Sequence, residues 1–342
     1  MKAMIINELG SINKKSVPLC SVEFPVPVPD ENELLIEVST CGVCHTEIDE
    51  IEGRTPPPIL PMIPGHQVVG KVMDTGKKVT LHKIGDRVGV AWIYSSCGKC
   101  DFCLSGKENL CAEFMATGRD AHGGYAEYMK VPETSAYKLP ENIPDLEIAP
   151  LLCAGAIGYR SLSLTGIING QTLGLTGFGA SAHLVLKLVK GKYPDINVIV
   201  FARSPVEREF ALELGAAWAG DTLDTPPLLP DAIIDTTPVW KPIVEALKIL
   251  KPGGRLVINA IRKEDADKEY LLNLRYSKHL WMEKEMKTVA NVCRADVLNF
   301  LKLAAEINIR PEFQSYSLSE ANQALIELKL RRIKGAKVLV IK

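Results

Sequence analysis

No apolar run in this 342-residue chain is long enough to cross a bilayer. The first residues, Met1-Lys2-Ala3-Met4-Ile5-Ile6-Asn7-Glu8, meet an acid and then a glycine before a signal-peptide core can build. A cytosolic location without a membrane partner is therefore expected. Excess charge of either sign is also missing. Forty Lys and Arg stand against 41 Asp and Glu, a net of -1, so the chain as a whole draws in neither nucleic acid nor an anionic surface. Internal repeats and low-complexity tracts are absent as well. The nearest to one, Pro25-Val26-Pro27-Val28-Pro29, reads as an extended connector.

What is present fits an ordinary globular protein. A 46% hydrophobic share over this length supports two domains, each with its own core. The first part reads as short strands separated by Pro and Gly, at 34–39, 68–73, 87–91 and 125–131. From about residue 170 the pattern changes to apolar runs alternating with amphipathic stretches: strands at 172–176, 198–201, 232–235 and 256–259, and helices at 182–189, 206–214 and 243–250. Repeated βα units of this kind predict an α/β fold with a parallel, doubly wound sheet. Pro252-Gly253-Gly254 stops one helix, Ser317-Leu318-Ser319-Glu320 is a capping box opening another, and 338–341 is the last strand.

Nine cysteines, at 20, 41, 44, 97, 100, 103, 111, 153 and 293, point to metal rather than disulfides in a long chain with no secretory signal. Cys97-x2-Cys100-x2-Cys103-x7-Cys111 offers four soft thiolates within fifteen residues. A closed tetrahedral structural zinc requires such a set. The bacterial iron–sulfur run needs a three-residue final gap and a following proline, whereas here the gap is seven and Ala112 follows. Four protein ligands leave no open position, so this metal pins a loop and activates no substrate.

Cys44 and His45 in Cys41-Gly42-Val43-Cys44-His45-Thr46-Glu47, His66 in Pro64-Gly65-His66-Gln67, and Cys153 in Leu152-Cys153-Ala154-Gly155 form no compact motif. Taken singly, each is as well read as a packed or surface residue. Gly177-Phe178-Gly179-Ala180-Ser181-Ala182 is stronger, a G-x-G-x-x-A turn between an apolar strand and a helix. Gly177 permits the tight turn, Gly179 the approach of a pyrophosphate to the backbone, and Ala182 close packing of helix on strand. A dinucleotide is expected to bind. About twenty residues on, an NAD site needs an acid for the ribose 2'-hydroxyl, but the second strand ends Val200-Phe201-Ala202-Arg203-Ser204. Ala202 removes the carboxylate, and Arg203, Ser204 and Arg208 offer hydrogen bonds to a 2'-phosphate. NADP(H) is expected in preference to NAD(H). The alternative is that Arg203 and Arg208 merely sit on a solvated helix start.

The order of these pieces resembles the zinc-dependent medium-chain alcohol dehydrogenases over essentially the whole chain. Gly85-Asp86-Arg87-Val88, the cysteine lobe and Gly123-Gly124-Tyr125-Ala126-Glu127-Tyr128 precede a nucleotide-binding half. The resemblance implies a GroES-like β-rich catalytic domain from residues 1–152 and 291–342, with the zinc lobe at about 92–115. It also implies a Rossmann domain at 153–290, and a cleft between the two for metal, nicotinamide and alcohol. Cys44, His66 and Cys153 become the ligands of a catalytic zinc with an open fourth position. That makes two zinc ions per chain. His45 is expected to face the cofactor pyrophosphate, and Thr46 to take the alcohol's proton into a relay. Cys41 is a packing residue, and Trp92 lines a pocket for small or medium alcohols unless it is an ordinary core aromatic.

Three positions depart from the family pattern. Gln67 replaces a glutamate beside the zinc histidine and so removes a negative charge. Glu47 replaces an aspartate that orients a zinc ligand, and Asp49 replaces a histidine that ends the proton relay. The implied activity is hydride transfer between a small alcohol or aldehyde and the nicotinamide, with polyol dehydrogenation the nearest rival. A zinc module for nucleic acid is disfavoured by the neutral charge and lack of a basic stripe. A zinc-free quinone reductase is disfavoured by seven suitably placed ligands. A homodimer or homotetramer is expected, with 288–292 as the candidate sheet edge.

Overall fold

A computed structural model describes residues 1–330 and 335–342, and these fall into two units. The first comprises Met1–Cys153, Val292–Ala305 and Arg310–Lys342, and the second Ala154–Asn291 with Glu306–Ile309.

The long strand Glu33–Val43 organises the first unit. Leu34, Ile36 and Val38 alternate into a core and are fully buried, the period-two pattern of a strand with one covered face. Its neighbours give a seven-stranded sheet in the order Phe313–Ser317, Ala336–Val340, Glu33–Val43, Val68–Thr75, Arg87–Val90, Ala136–Lys138, with Tyr128–Pro132 also paired to Glu33–Val43. Register shifts after Leu35 and after Val38 bend the central strand, as bulges do. Tyr128–Pro132 pairs along residues 33–37 and Ala336–Val340 along 40–43, so these two strands share one of its sides. The stretch expected as a strand from 125 begins only at Tyr128, because the backbone of Tyr125 and Glu127 also pairs with the strand Lys2–Ile5: Met4 N–H donates to Tyr125 O at 2.9 Å and Glu127 N–H to Lys2 O at 3.1 Å.

The second unit carries six parallel strands in the order Trp218–Gly220, Asn197–Phe201, Thr172–Thr176, Ala232–Asp235, Arg255–Ile258, Glu285–Thr288. Helices such as Ala180–Lys192, Pro205–Glu213 and Lys241–Ile249 alternate with them. Thr172–Thr176 and Ala232–Asp235 are buried at every residue, which explains why these strands show no alternation of apolar and polar positions. Strand order reverses direction at Thr172–Thr176, and in sheets of this type ligands bind at such a switch point, outside the carboxyl ends of the strands.

The expected sheet edge at 288–292 is corrected. The edge strand is Glu285–Thr288, all four residues exposed, whereas Val289 and Val292 turn inward and are buried. Their apolar character reflects that burial and not an edge. No helix among the described residues is by itself long and apolar enough to cross a membrane.

Candidate active site

Cys44 precedes the helix His45–Ile51 as its N-cap, in extended conformation. Glu47, three residues on, accepts the Cys44 backbone N–H at 2.7 Å through Oε2, closing a capping box. Its other oxygen, Oε1, lies 2.7 Å from Nδ1 of His66, with both side chains buried. One carboxylate thus fixes the helix start and a histidine from a different segment. Because Nδ1 faces Glu47, the tautomer with its proton there leaves Nε2 as a lone-pair donor. Nε2 sits 3.2 Å from Sγ of Cys153, and the donor atoms of Cys44, His66 and Cys153 all lie within 4.8 Å of one another. The neighbouring thiol of Cys153, aided by His66, holds the Cys44 thiol well below its ordinary range despite burial, and the thiolate is the form that binds metal. Two sulfurs and one imidazole match a site that keeps a fourth position open.

Around this triad, Thr46 Oγ1 is 3.5 Å from Cys44 Sγ, and the Trp92 ring stands edge-on to His66 with centroids 5.0 Å apart. Trp92 is only 4% exposed. Gln67 is buried, and Gly42 makes room for it: a β-carbon at residue 42 would fall 2.6 Å from Gln67 Oε1. Cys41 is fully buried, and burial pushes its thiol well up, as suits a packing residue. His45, at the first helical position, is exposed.

Asp49 is held by Arg54, whose Nε donates to Oδ1 at 2.6 Å. Arg54 also pairs with Glu52. Sequence reasoning missed Arg54, since an Asp–Arg pair five residues apart across a helix end has no motif. It missed Glu50 too. This fully buried carboxyl on the same helix is pushed well up by burial and then by Glu47.

In the lobe, Cys97, Cys100, Cys103 and Cys111 bring their sulfurs within 4.8 Å of one another. Cys97 and Cys103 sulfurs are 3.9 Å apart, close to the edge of about 3.8 Å that tetrahedral Zn–S bonds of about 2.3 Å produce. Backbone N–H groups of Lys99 and Cys100 hold the Cys97 thiol down to about 6.

In the second unit, Gly177 follows the strand Thr172–Thr176 at φ +79°, where a β-carbon would also strike Thr236 Oγ1 at 2.8 Å. Gly179 caps the helix Ala180–Lys192 and has nothing within 4 Å of where its β-carbon would be. Ala182 is fully buried. The strand Asn197–Phe201 runs into Ala202, buried and without a carboxylate, then exposed Arg203 and Ser204, the N-cap of the helix Pro205–Glu213. Arg208 turns back on this loop, with Nη1 donating to Ala202 O at 2.9 Å and to Arg203 O at 3.1 Å. Its observed contacts therefore hold the loop that presents Arg203.

The alcohol dehydrogenase GroES-like domain family matches residues 30–141. A probable alcohol dehydrogenase of Mycobacterium tuberculosis is 42% identical over 329 residues, covering 95% of this chain and 93% of its own. An alcohol dehydrogenase of Geobacillus stearothermophilus is 33% identical over 351 residues, covering 100% and 99%. Among solved structures, a cinnamyl alcohol dehydrogenase of Sorghum bicolor superposes with a TM-score of 0.86 at 26% identity, covering 99% of this chain and 97% of that one.

Proposed function

Because the chain belongs to the medium-chain dehydrogenase/reductase alcohol dehydrogenase family, we propose that it is a zinc-dependent alcohol dehydrogenase and aldehyde reductase. It moves a hydride between a small primary or secondary alcohol and NADP(H). The observation that carries this reading is the convergence of Cys44, His66 and Cys153 on one point, with Glu47 setting the histidine.

Cys44, His66 and Cys153 would hold the catalytic metal, and Cys97, Cys100, Cys103 and Cys111 the structural one. When bound, the catalytic metal supplies Lewis acidity that brings the alcohol's pKa toward neutrality, and the nicotinamide supplies the hydride acceptor. Glu47 keeps His66 oriented and basic. Thr46 presents a hydroxyl beside Cys44, which accepts the alcohol's proton and passes its own onward. Asp49, fixed by Arg54, serves as a hydrogen-bond acceptor at the end of that relay. Gln67 leaves a neutral amide where the family's glutamate would add a charge. Trp92 walls the site on the His66 side.

Gly177, Gly179 and Ala182 shape the phosphate turn. Support for NADP(H) comes from the missing carboxylate at Ala202 and from Arg203 and Ser204 on the loop that Arg208 braces. A cytosolic homodimer or homotetramer completes the proposal, because the exposed edge strand Glu285–Thr288 is a natural pairing surface.

The test is absorbance at 340 nm with a panel of alcohols and aldehydes, run in parallel with NAD(H) and NADP(H). Zinc-dependent turnover favouring NADP(H) supports the reading. Turnover with NAD(H) alone overturns the cofactor preference, and none across the panel overturns the substrate class.

A further inference from the structure

At the switch point of the second unit, the carboxyl ends of Thr172–Thr176 and Ala232–Asp235 lie side by side, with Thr176 in register with Asp235. The Asp235 carboxylate is fully buried, and its side-chain contacts come from the strand that leads into the glycine turn, from the loop after its own strand and from the segment after Arg255–Ile258. Thr176 Oγ1 donates to its Oδ1 at 2.6 Å and Thr237 Oγ1 to the same oxygen at 2.8 Å. Lys263, from the segment after the strand Arg255–Ile258, donates to Oδ2 at 2.5 Å. The same ammonium reaches Thr237 O at 2.6 Å and Val239 O at 3.3 Å, so its three protons have three acceptors.

Lys263 does not act alone on residues 236–241. Glu264 N–H donates to Pro238 O at 2.6 Å, and the Asp267 carboxylate accepts the N–H groups of Trp240 and Lys241 at 2.8–3.0 Å. Thr236 in turn packs against the turn, where Gly177 lacks the β-carbon that would strike it. Asn259 reaches Ser181 Oγ, within the glycine motif, at 3.2 Å. The floor of the phosphate-binding turn is therefore fixed through the 259–267 segment, and it contains one buried anion with one cation on it.

We propose that Lys263 is a positioning residue for the dinucleotide. Its ammonium holds the 237–239 backbone beside the glycine turn and balances the charge of the buried Asp235 carboxylate beneath it. This rests on the dinucleotide reading of the second unit. A buried carboxylate without its cation either repels a nearby pyrophosphate or takes up a proton, and in both cases the clamp on 237–239 is lost.

The experiment is direct binding of NADPH and NADH to the purified full-length protein, read by energy transfer from protein fluorescence to the nicotinamide with no alcohol present. Lys263→Met is expected to weaken NADPH binding about tenfold, as losing one countercharge and the clamp together implies. Lys263→Arg should recover part of that loss. Asp235→Asn separates positioning from mere stability. It removes the more deeply buried partner and lowers the melting temperature, yet it leaves Lys263 on both carbonyls and adds net positive charge, so NADPH affinity should hold or tighten. Wild-type affinity in Lys263→Met overturns the proposal. So does loss of affinity in both variants in proportion to their melting temperatures. Failure of the wild-type protein to bind either dinucleotide overturns the dinucleotide reading itself, and with it this inference.

Discussion

Glu47 shows how much one side chain carries. An aspartate at the same position is one methylene shorter, and Glu47 spends its length on spanning from the Cys44 backbone to the His66 ring. Glu47→Ala is expected to free His66 and weaken zinc binding about ten- to a hundredfold, the usual cost of removing such a partner, measured by competition with a chromogenic chelator. Unchanged affinity would show that His66 is oriented by something else. Arg203 makes a separate prediction. Arg203→Ala should raise the KM for NADPH about tenfold, as loss of a charge-assisted hydrogen bond implies, while leaving that for NADH nearly unchanged. Equal effects on the two cofactors would return Arg203 to the solvated surface. The zinc-type donors were legible because spacing and family order mark them. Arg54, Glu50 and Lys263 were not, because their partners are decided by where the backbone folds them and not by any local pattern.

Elements were legible in proportion to their burial. Thr172–Thr176 and Ala232–Asp235 were read to the residue because both faces are covered and their central residues are apolar. The helix Ala154–Thr165 was not foreseen. Its glycines and serines permit close packing, with Gly158 facing Val185 where a β-carbon would sit 2.8 Å away, and small residues hide a helical stripe. Phe313–Ser317 escaped for a different reason, since its sequence is largely polar and, among the described residues, it pairs with Ala336–Val340 alone. That pairing is tied by a fully buried Lys337, which donates to Gln314 Oε1 at 3.0 Å and Glu327 Oε2 at 2.7 Å and also bonds Tyr316 Oη. Hydrogen bonds from Lys337, Tyr316 and Gln323 hold the Glu327 carboxyl down to about 2. A carboxylate lowered on folding stabilises the native state above its ordinary value of 4.5 and loses that contribution as pH falls toward 2. The stability gap between wild type and Glu327→Gln, from urea melts, should therefore be full at pH 7 and close progressively below pH 4.5. A gap independent of pH would mean that packing and not charge ties the strands.

At the scale of the whole molecule, the two donor sets predict opposite consequences of losing metal. The lobe at 97–111 has no core of its own, since Phe102, Leu104 and Leu110 are 45%, 75% and 42% exposed. Burial therefore offers little to hold it closed, and a tetrathiolate metal would supply most of its order. The triad differs. His66 is fixed by Glu47 and packed by Trp92, so its frame is expected to survive loss of an ion. Elemental analysis should find about two zinc per chain, as two ligand sets imply. Cys153→Ser should lose one of them and all turnover, while its melting temperature and circular dichroism stay near wild type. Cys100→Ser should also lose one, but with a lower melting temperature and faster proteolysis within the lobe. If Cys100→Ser melts like wild type, the lobe is ordered by its hydrogen bonds and not by metal. If Cys153→Ser turns over normally, Cys44, His66 and Cys153 are not where the chemistry happens.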